Sequence, residues 1–92
     1  MNTEEVIWAN RNLAVLARLY KIRRLRSSWT LADERNYSVR LEVSHRFLTA
    51  TIDGQALRGA LKGMEHEQAV VIKTLTALVR SLSGDTIARK GR

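Results

Sequence analysis

Cysteine and proline are both absent from this 92-residue sequence. A chain without cysteine has no disulfide scaffold, no thiolate metal site and no cysteine nucleophile, and it is compatible with a reducing cytoplasm. The absence of proline and of low-complexity segments leaves no sign of a linker between domains. Because domains usually contain about 100–150 residues, we expect a single domain over residues 1–84, followed by a basic, flexible tail over residues 85–92.

Long hydrophobic segments are also missing. No uninterrupted apolar run exceeds five residues, whereas a membrane-spanning helix needs about 20. The first five residues include Glu4 and Glu5 but no Lys or Arg, unlike a secretory signal. We therefore predict a cytoplasmic protein that makes no contact with a membrane.

Acidic residues are in the minority, with 9 Asp and Glu against 16 Lys and Arg, which gives a formal net charge of +7. Of the cations, 12 are Arg and 4 are Lys. The Arg guanidinium is planar and can donate two parallel hydrogen bonds to one phosphate or carboxylate group, whereas the Lys ammonium is a hydrated point charge. Residues 1–30 hold six basic and two acidic side chains, and residues 31–63 hold five and four. This distribution favours a binding surface near the ends of the chain.

The first thirty residues have the periodicity of an amphipathic helix. We expect the helix to begin near Asn2 or Thr3, with Asn2 capping the first amides and Glu5 completing a capping box, and Glu4 and Glu5 suit the positive end of the helix dipole. About half of the helix circumference is apolar, through Val6, Ala9, Leu13, Leu16 and Tyr20 with Trp8, Val15, Leu19 and Ile22 beside them. The pattern predicts a helix whose last residues are the basic segment 21–26.

A strict period of two follows in residues 37–44, where polar residues alternate with Tyr37, Val39, Leu41 and Val43. This alternation indicates a half-buried strand. We expect a turn at 44–46 and a second strand over the β-branched, apolar segment 47–52. The segment 55–62 is either a third strand or a short helix capped by Asp53. The preceding Asp53–Gly54, typical of a hairpin turn, favours a strand for its first half.

A second amphipathic helix is predicted from about Met64 to Leu82, with Gly84 as the left-handed residue beyond its end. The element order is thus α–β–β–(β)–α. Because each element needs a partner for its apolar side, we expect an α+β fold with two amphipathic helices packed on one face of a small antiparallel sheet. The other face of the sheet is then in water, with Ser38, Arg40, Glu42, Thr49 and Thr51 on it.

The densest functional signal is the segment 21–26, which has four cations in six residues. One or two cations suffice to stabilise the end of a helix dipole. Four can neutralise several phosphates and release their counterions, which is the electrostatic basis of nucleic-acid affinity. Trp29, just beyond, is more often a core residue than a base-stacking one. The residues predicted to bind nucleic acid or a ribonucleoprotein are Arg18, Lys21, Arg23, Arg24, Arg26, Arg40 and Arg46.

A second set of cations lies on the polar side of the predicted second helix. The small residues Ala69 and Ala77 lie between these cations and would let a partner helix approach closely. This side is therefore either solvated or a contact for such a helix. We predict a secondary interface formed by His66, Lys73, Arg80, Arg89 and Lys90. The alternative function that follows is a homodimer or protein-interaction module whose charge serves solubility.

Catalytic and metal-binding patterns are scarce. The two histidines, His45 and His66, are too few for a metal site without further ligands at binding spacing. The glycines between 54 and 63 lack the Lys–Ser/Thr pair of a phosphate-binding loop. We therefore predict a non-enzyme without metal or cofactor. A small ribonuclease toxin that uses Arg, Tyr and His is a third hypothesis.

The predicted order resembles the double-stranded RNA-binding domain, but the basic start of that domain's second helix is replaced here by the acidic segment 64–67. In size, charge and layout the chain is similar to the anti-CRISPR proteins, small phage-encoded inhibitors of host defence. That resemblance implies a compact α+β domain in the host cytoplasm that blocks an RNA-guided complex by binding its subunits or its nucleic acid. The sequence does not distinguish DNA from RNA.

Overall fold

A computed structural model describes residues 3–90 of the chain, with side chains as far as Ser83. The elements are α1 Glu4–Leu19, β1 Arg26–Leu31, β2 Asn36–Val43, β3 Arg46–Asp53, α2 Gly54–Leu61 and α3 Glu65–Lys90. The strands form one antiparallel sheet in the order β1-β2-β3. The predicted α+β class, with helices on one face of a small antiparallel sheet, is confirmed, although there are three helices where two were expected.

The start of α1 follows from its cap and from one contact with the sheet. The N-cap is Thr3 and not the predicted Asn2, because the Thr3 hydroxyl accepts the hydrogen bond from the Val6 N–H, at 3.4 Å. The Tyr37 hydroxyl donates to Glu5 Oε2 at 2.9 Å. This contact fixes the N-terminal end of α1 against the start of β2, and the C-terminal end of α1 therefore lies towards the end of β2.

The end of α1 corrects the sequence prediction, because the helix stops at Leu19 and does not include the basic segment. The Lys21 N–H donates to the Arg18 carbonyl at 3.1 Å and the Ile22 N–H donates to the Ala17 carbonyl at 2.8 Å. Lys21 itself is left-handed, with φ 56°. These are the two bonds of a Schellman motif, which usually has glycine at the left-handed position. Because Lys21 stands where glycine is usual, the end of the helix had no local sign.

Strand β1 is absent from the sequence prediction, which placed Arg26 in the first helix and expected no element over residues 27–31. Trp29 is 5% exposed and packs edge-on against Tyr37, with ring centroids 6.0 Å apart, so it is a core residue, as favoured from sequence. Asn10 of α1 accepts hydrogen bonds from the Ser27 hydroxyl at 2.8 Å and from Trp29 Nε1 at 2.9 Å. One amide oxygen therefore holds the edge strand to the helix.

The central hairpin agrees with the prediction. Strand β2 pairs with β3 from Asn36↔Asp53 to Val43↔Arg46, around a two-residue turn in which Ser44 has φ 55°. Tyr37, Val39 and Leu41 of β2 are buried, whereas the alternate positions of the strand face away from the helices. The loop before β2 is held by Asp33, whose Oδ1 accepts from the backbone N–H of Arg35 and of Asn36.

The segment 55–62 is helical, so the preference for a third strand there is wrong. Asp53 caps α2 by accepting from the Gln55 N–H at 2.9 Å. The Gly54 N–H donates to the Arg35 carbonyl at 2.8 Å, and a Cβ on Gly54 would lie 2.5 Å from that oxygen. The glycine of Asp53–Gly54 is therefore required by a close approach of two backbones and not by a hairpin turn.

Helix α3 closes the core with Val71, Leu75, Val79 and Leu82. The predicted end at Gly84 is wrong, because α3 continues to Lys90. A glycine inside a helix costs about 1 kcal/mol relative to alanine, which weakens a helix without ending it. Residues 91 and 92 of the predicted tail, and the side chains of 84–90, lie outside the described part. Within the described part, no helix has the length and apolar character needed to cross a bilayer.

We expect Asn10→Ala to destabilise the protein by about 1–3 kcal/mol, because it leaves the buried Trp29 Nε1 without its acceptor. Asn12→Ala is the matched control, since Asn12 only donates to the Trp8 carbonyl of its own helix. Urea unfolding of both variants measures the difference. Equal free energies of unfolding for the two variants would contradict the role given to Asn10.

The contribution of Asp33 to the stability of the protein should depend on pH, because only its ionised carboxylate stabilises the loop. Hydrogen bonds from the backbone N–H of Arg35, and from Asn36, lower the pKa of Asp33 below its ordinary value of 3.8. Its stabilising contribution is therefore complete above that value and is lost as the pH falls through the lower folded-state pKa. The difference in unfolding free energy between the unmodified protein and Asp33→Ala should shrink as the pH falls from about 6 to 2. A constant difference would exclude the ionised carboxylate as its source.

Candidate nucleic-acid interface

The structure gathers most of the predicted cations at one end of the molecule, which we name the basic end and define as residues 18–26 and 42–46. The register pairs Arg26 with Glu42 and Val43 with Arg46, so the start of β1 lies beside the β2–β3 turn. A groove of about 440 Å³ opens there, with Lys21, Arg23 and Arg46 among its lining residues. Arg18 and Arg24 line an adjacent, more apolar groove of about 290 Å³.

The opposite end of the molecule carries five acidic side chains, with Arg35 and Arg58 as the cations beside them. Glu4 and Glu5 begin α1, Asp33 and Glu34 lie in the β1–β2 loop, and Asp53 ends β3. In contrast, Glu42 is the one acidic residue among 18–26 and 42–46. The net positive charge is therefore concentrated at one end and is not spread evenly over the surface.

The cations of the basic end are available to a partner. Exposed side chains occur at Arg18, Lys21, Arg23, Arg24 and Arg26. Arg26 is 3.7 Å from Glu42, but its side chain is 75% exposed, and such surface pairs contribute only about 0–1 kcal/mol. A phosphate can therefore replace the carboxylate at little cost.

Arg40 and Arg46, the two predicted cations of the hairpin, have different roles. Arg46 is half-buried and its Nη1 donates to the Leu82 carbonyl at 2.6 Å, so part of its guanidinium holds β3 to α3. Arg40 lies on the uncovered face of the sheet, with its Cζ 4.0 Å from the centre of the Phe47 ring. Arg46 therefore combines a structural and a surface role, and Arg40 extends the positive charge onto the sheet.

The loop of the basic end holds two cations in strained conformations. Lys21 and Arg24 have φ of 56° and 59°, in the left-handed region that costs an L-residue roughly 1–2 kcal/mol. Helix α2 ends with the same two hydrogen bonds as α1, but there the left-handed residue is Gly63, with φ 92°. Strain of this kind concentrates at functional sites. Lys21 therefore places a cation at a position where glycine would be unstrained.

The predicted secondary interface is only partly described. His66, Lys73 and Arg80 are exposed on α3, as are Ala69 and Ala77. The side chains of Arg89 and Lys90 lie outside the described residues, so their part in the interface stays a prediction. This stripe lacks the local density of charge that the basic end has.

The two histidines are far apart. His45 lies in the β2–β3 turn, beside Arg46, which contacts α3 at Leu82. His66 precedes Leu82 by 16 residues of helix, which corresponds to about 24 Å. Among the residues that the structure describes, no group of three or more His, Cys, Asp or Glu side chains is arranged to hold a metal ion.

Phe47 is the surface residue that the sequence analysis missed. It is 54% exposed on the same face as Arg40. The signal was available in the alternation of 47–52, because Phe47 shares the parity of Thr49 and Thr51, which were expected to face water. Its apolar character led to its assignment as an ordinary strand residue.

Comparison of the chain with protein-family models, with curated proteins and with solved structures finds no match.

Substitutions of Lys21 can separate the effect of backbone strain on stability from the effect of the side-chain charge on binding. Lys21→Gly and Lys21→Ala both remove the ammonium group, but only glycine relieves the left-handed strain. We expect Lys21→Gly to be more stable than Lys21→Ala by about 1 kcal/mol in urea unfolding. Both variants should lose the same fraction of any affinity for nucleic acid. A more stable Lys21→Ala would show that the loop is not held in this conformation.

Proposed function

We propose that this protein is a non-catalytic, cytoplasmic binding protein whose basic end contacts the phosphate backbone of a nucleic acid. The observation that supports this proposal is the clustering of five exposed cations on residues 18–26, at the end of the molecule opposite Glu4, Glu5, Asp33, Glu34 and Asp53. Four of these cations are Arg. Their guanidinium groups donate paired hydrogen bonds to phosphate oxygens, which a Lys-rich surface does less well.

The energetics of such binding are dominated by counterion release. Five cations that each neutralise one phosphate of a single strand give an affinity that falls about 100-fold between roughly 50 and 200 mM salt. Contacts of this type set the position of the strand and do not read its sequence. We therefore expect affinity for many sequences, with a steep dependence on salt.

The resemblance to anti-CRISPR proteins extends the proposal to a biological source of the nucleic acid. In an RNA-guided complex, the basic end would contact the guide or the target strand and would exclude the target strand from its channel. A pull-down from the source cells, with and without nuclease, tests this extension. A partner that is captured only without nuclease supports it, and capture that nuclease leaves unchanged contradicts it.

The charge-reversal variant Arg23→Glu/Arg24→Glu tests the proposed function. The matched control is Arg11→Glu/Lys62→Glu, which makes the same change in net charge at exposed positions outside the basic end. Fluorescence anisotropy with a labelled single strand of about 12 nucleotides, a common site length, measures the affinity at low salt. We expect the first variant to bind more than about 10-fold more weakly, because it removes two phosphate contacts and adds repulsion.

The control variant should lose much less affinity than the charge-reversal variant. Equal losses would mean that net charge alone is responsible, and no binding by the unmodified protein would overturn the proposed function. Two further readouts address the alternative functions. Cleavage of the labelled strand indicates the ribonuclease, and a dimer in sedimentation with a flat salt response indicates the protein-interaction module.

A further inference from the structure

The face of the sheet opposite the helices is uncovered. All three helices pack on the side of Tyr37, Val39 and Leu41, which are buried. The other face consists of three cross-strand rows of side chains, which are Arg26–Glu42–Phe47, Ser28–Arg40–Thr49 and Thr30–Ser38–Thr51. From the spacing within and between strands, the rows cover about 14 by 10 Å, an area on which two or three bases fit.

The uncovered face carries one stacked pair of an aromatic ring and a cation. Phe47 is 54% exposed, and the Arg40 guanidinium lies over its ring with 4.0 Å between Cζ and the ring centre. A ring and a guanidinium stacked in this way present flat, apolar and cationic surfaces together. Nucleobases stack on such surfaces irrespective of their identity, because every base has a π-face.

The same face is continuous with the basic end. Arg26 belongs both to the basic end and to the row that contains Phe47. Glu42 lies between them, 3.7 Å from Arg26, and offsets part of the Arg26 charge. A phosphate backbone that leaves the loop cations can therefore pass Arg26 and bring its bases over Arg40 and Phe47.

We propose that the uncovered face of the sheet binds single-stranded RNA, with an unpaired base stacked on the Arg40–Phe47 pair. This inference rests on the proposed function and adds to it the class of nucleic acid. A duplex does not fit the face in this way, because its bases are already paired and stacked. The Ser and Thr hydroxyls that surround Arg40 can donate to and accept from a ribose 2′-hydroxyl, and this favours RNA over DNA.

The test compares Phe47→Ala with the unmodified protein on four labelled probes of about 12 nucleotides. These are an oligouridine, the same length of oligothymidine, an abasic strand and an RNA duplex. Phe47→Ala should weaken binding to oligouridine by about 5- to 150-fold, the range measured when one stacking residue is removed. Binding to the abasic strand and to the duplex should not change, since those probes contact only the cations. Phe47→Trp should retain the affinity for oligouridine.

The control for lost apolar surface is Leu31→Ala, because Leu31 is 59% exposed at the other end of the sheet. It should leave all four affinities unchanged. An equal loss for Phe47→Ala on the abasic strand would overturn base stacking, and tighter binding of oligothymidine than oligouridine would overturn the choice of RNA. If Phe47→Ala has no effect while Arg23→Glu/Arg24→Glu does, this inference fails and the proposed function stands. If the unmodified protein binds none of the probes, both fail.

Discussion

Burial of one face of strand β2 is the interaction on which the rest of the structure depends. Val39 and Leu41 are fully buried and Tyr37 is almost so. Because side chains of a strand alternate between its faces, covering these residues with helices on one side leaves Arg40 and its neighbours on the other. The same burial places the N-terminus of α1 at one end of the sheet and the basic loop at the opposite end. The charge separation is thus a consequence of how the core is packed.

The basic end and the open face are connected because β1 is an edge strand. Its first residue, Arg26, is the last cation of the loop and also a member of the outer rows of the sheet. Asn10 keeps this strand in place through the hydrogen bonds from Ser27 and Trp29. The hydrogen bonds of Asn10 therefore hold β1 in the position that joins the basic end to the uncovered face of the sheet. The cationic loop supplies charge, and the sheet supplies a flat surface.

Two glycine-related features explain the main errors of sequence reasoning. Lys21 ends α1 at a position where glycine is usual, so the helix appeared to continue through its basic segment. Gly54 suggested a hairpin turn, but it is present because the Arg35 carbonyl approaches too closely for a Cβ. At Lys21 the usual glycine signal is missing, and at Gly54 the decisive contact is with the distant backbone of Arg35, which the local pattern does not identify. Strand β1 was missed for a related reason, since an edge strand with only Trp29 buried has no alternation to detect.

The sequence by itself determined the α+β class, the β2–β3 hairpin and the identity of the cationic residues, because these depend on local periodicity and composition. Only the tertiary structure decided that Lys21, Arg23 and Arg24 lie in a loop, that Arg46 is partly engaged with Leu82, and that Arg40 covers Phe47. The physical reason at Arg40 and Arg46 is that their partners lie on other elements, whereas the loop at Lys21 begins with a helix-ending pattern that lacks its usual glycine. Periodicity reports which side of an element is buried, but the partner that buries it is chosen by the packing of the whole chain.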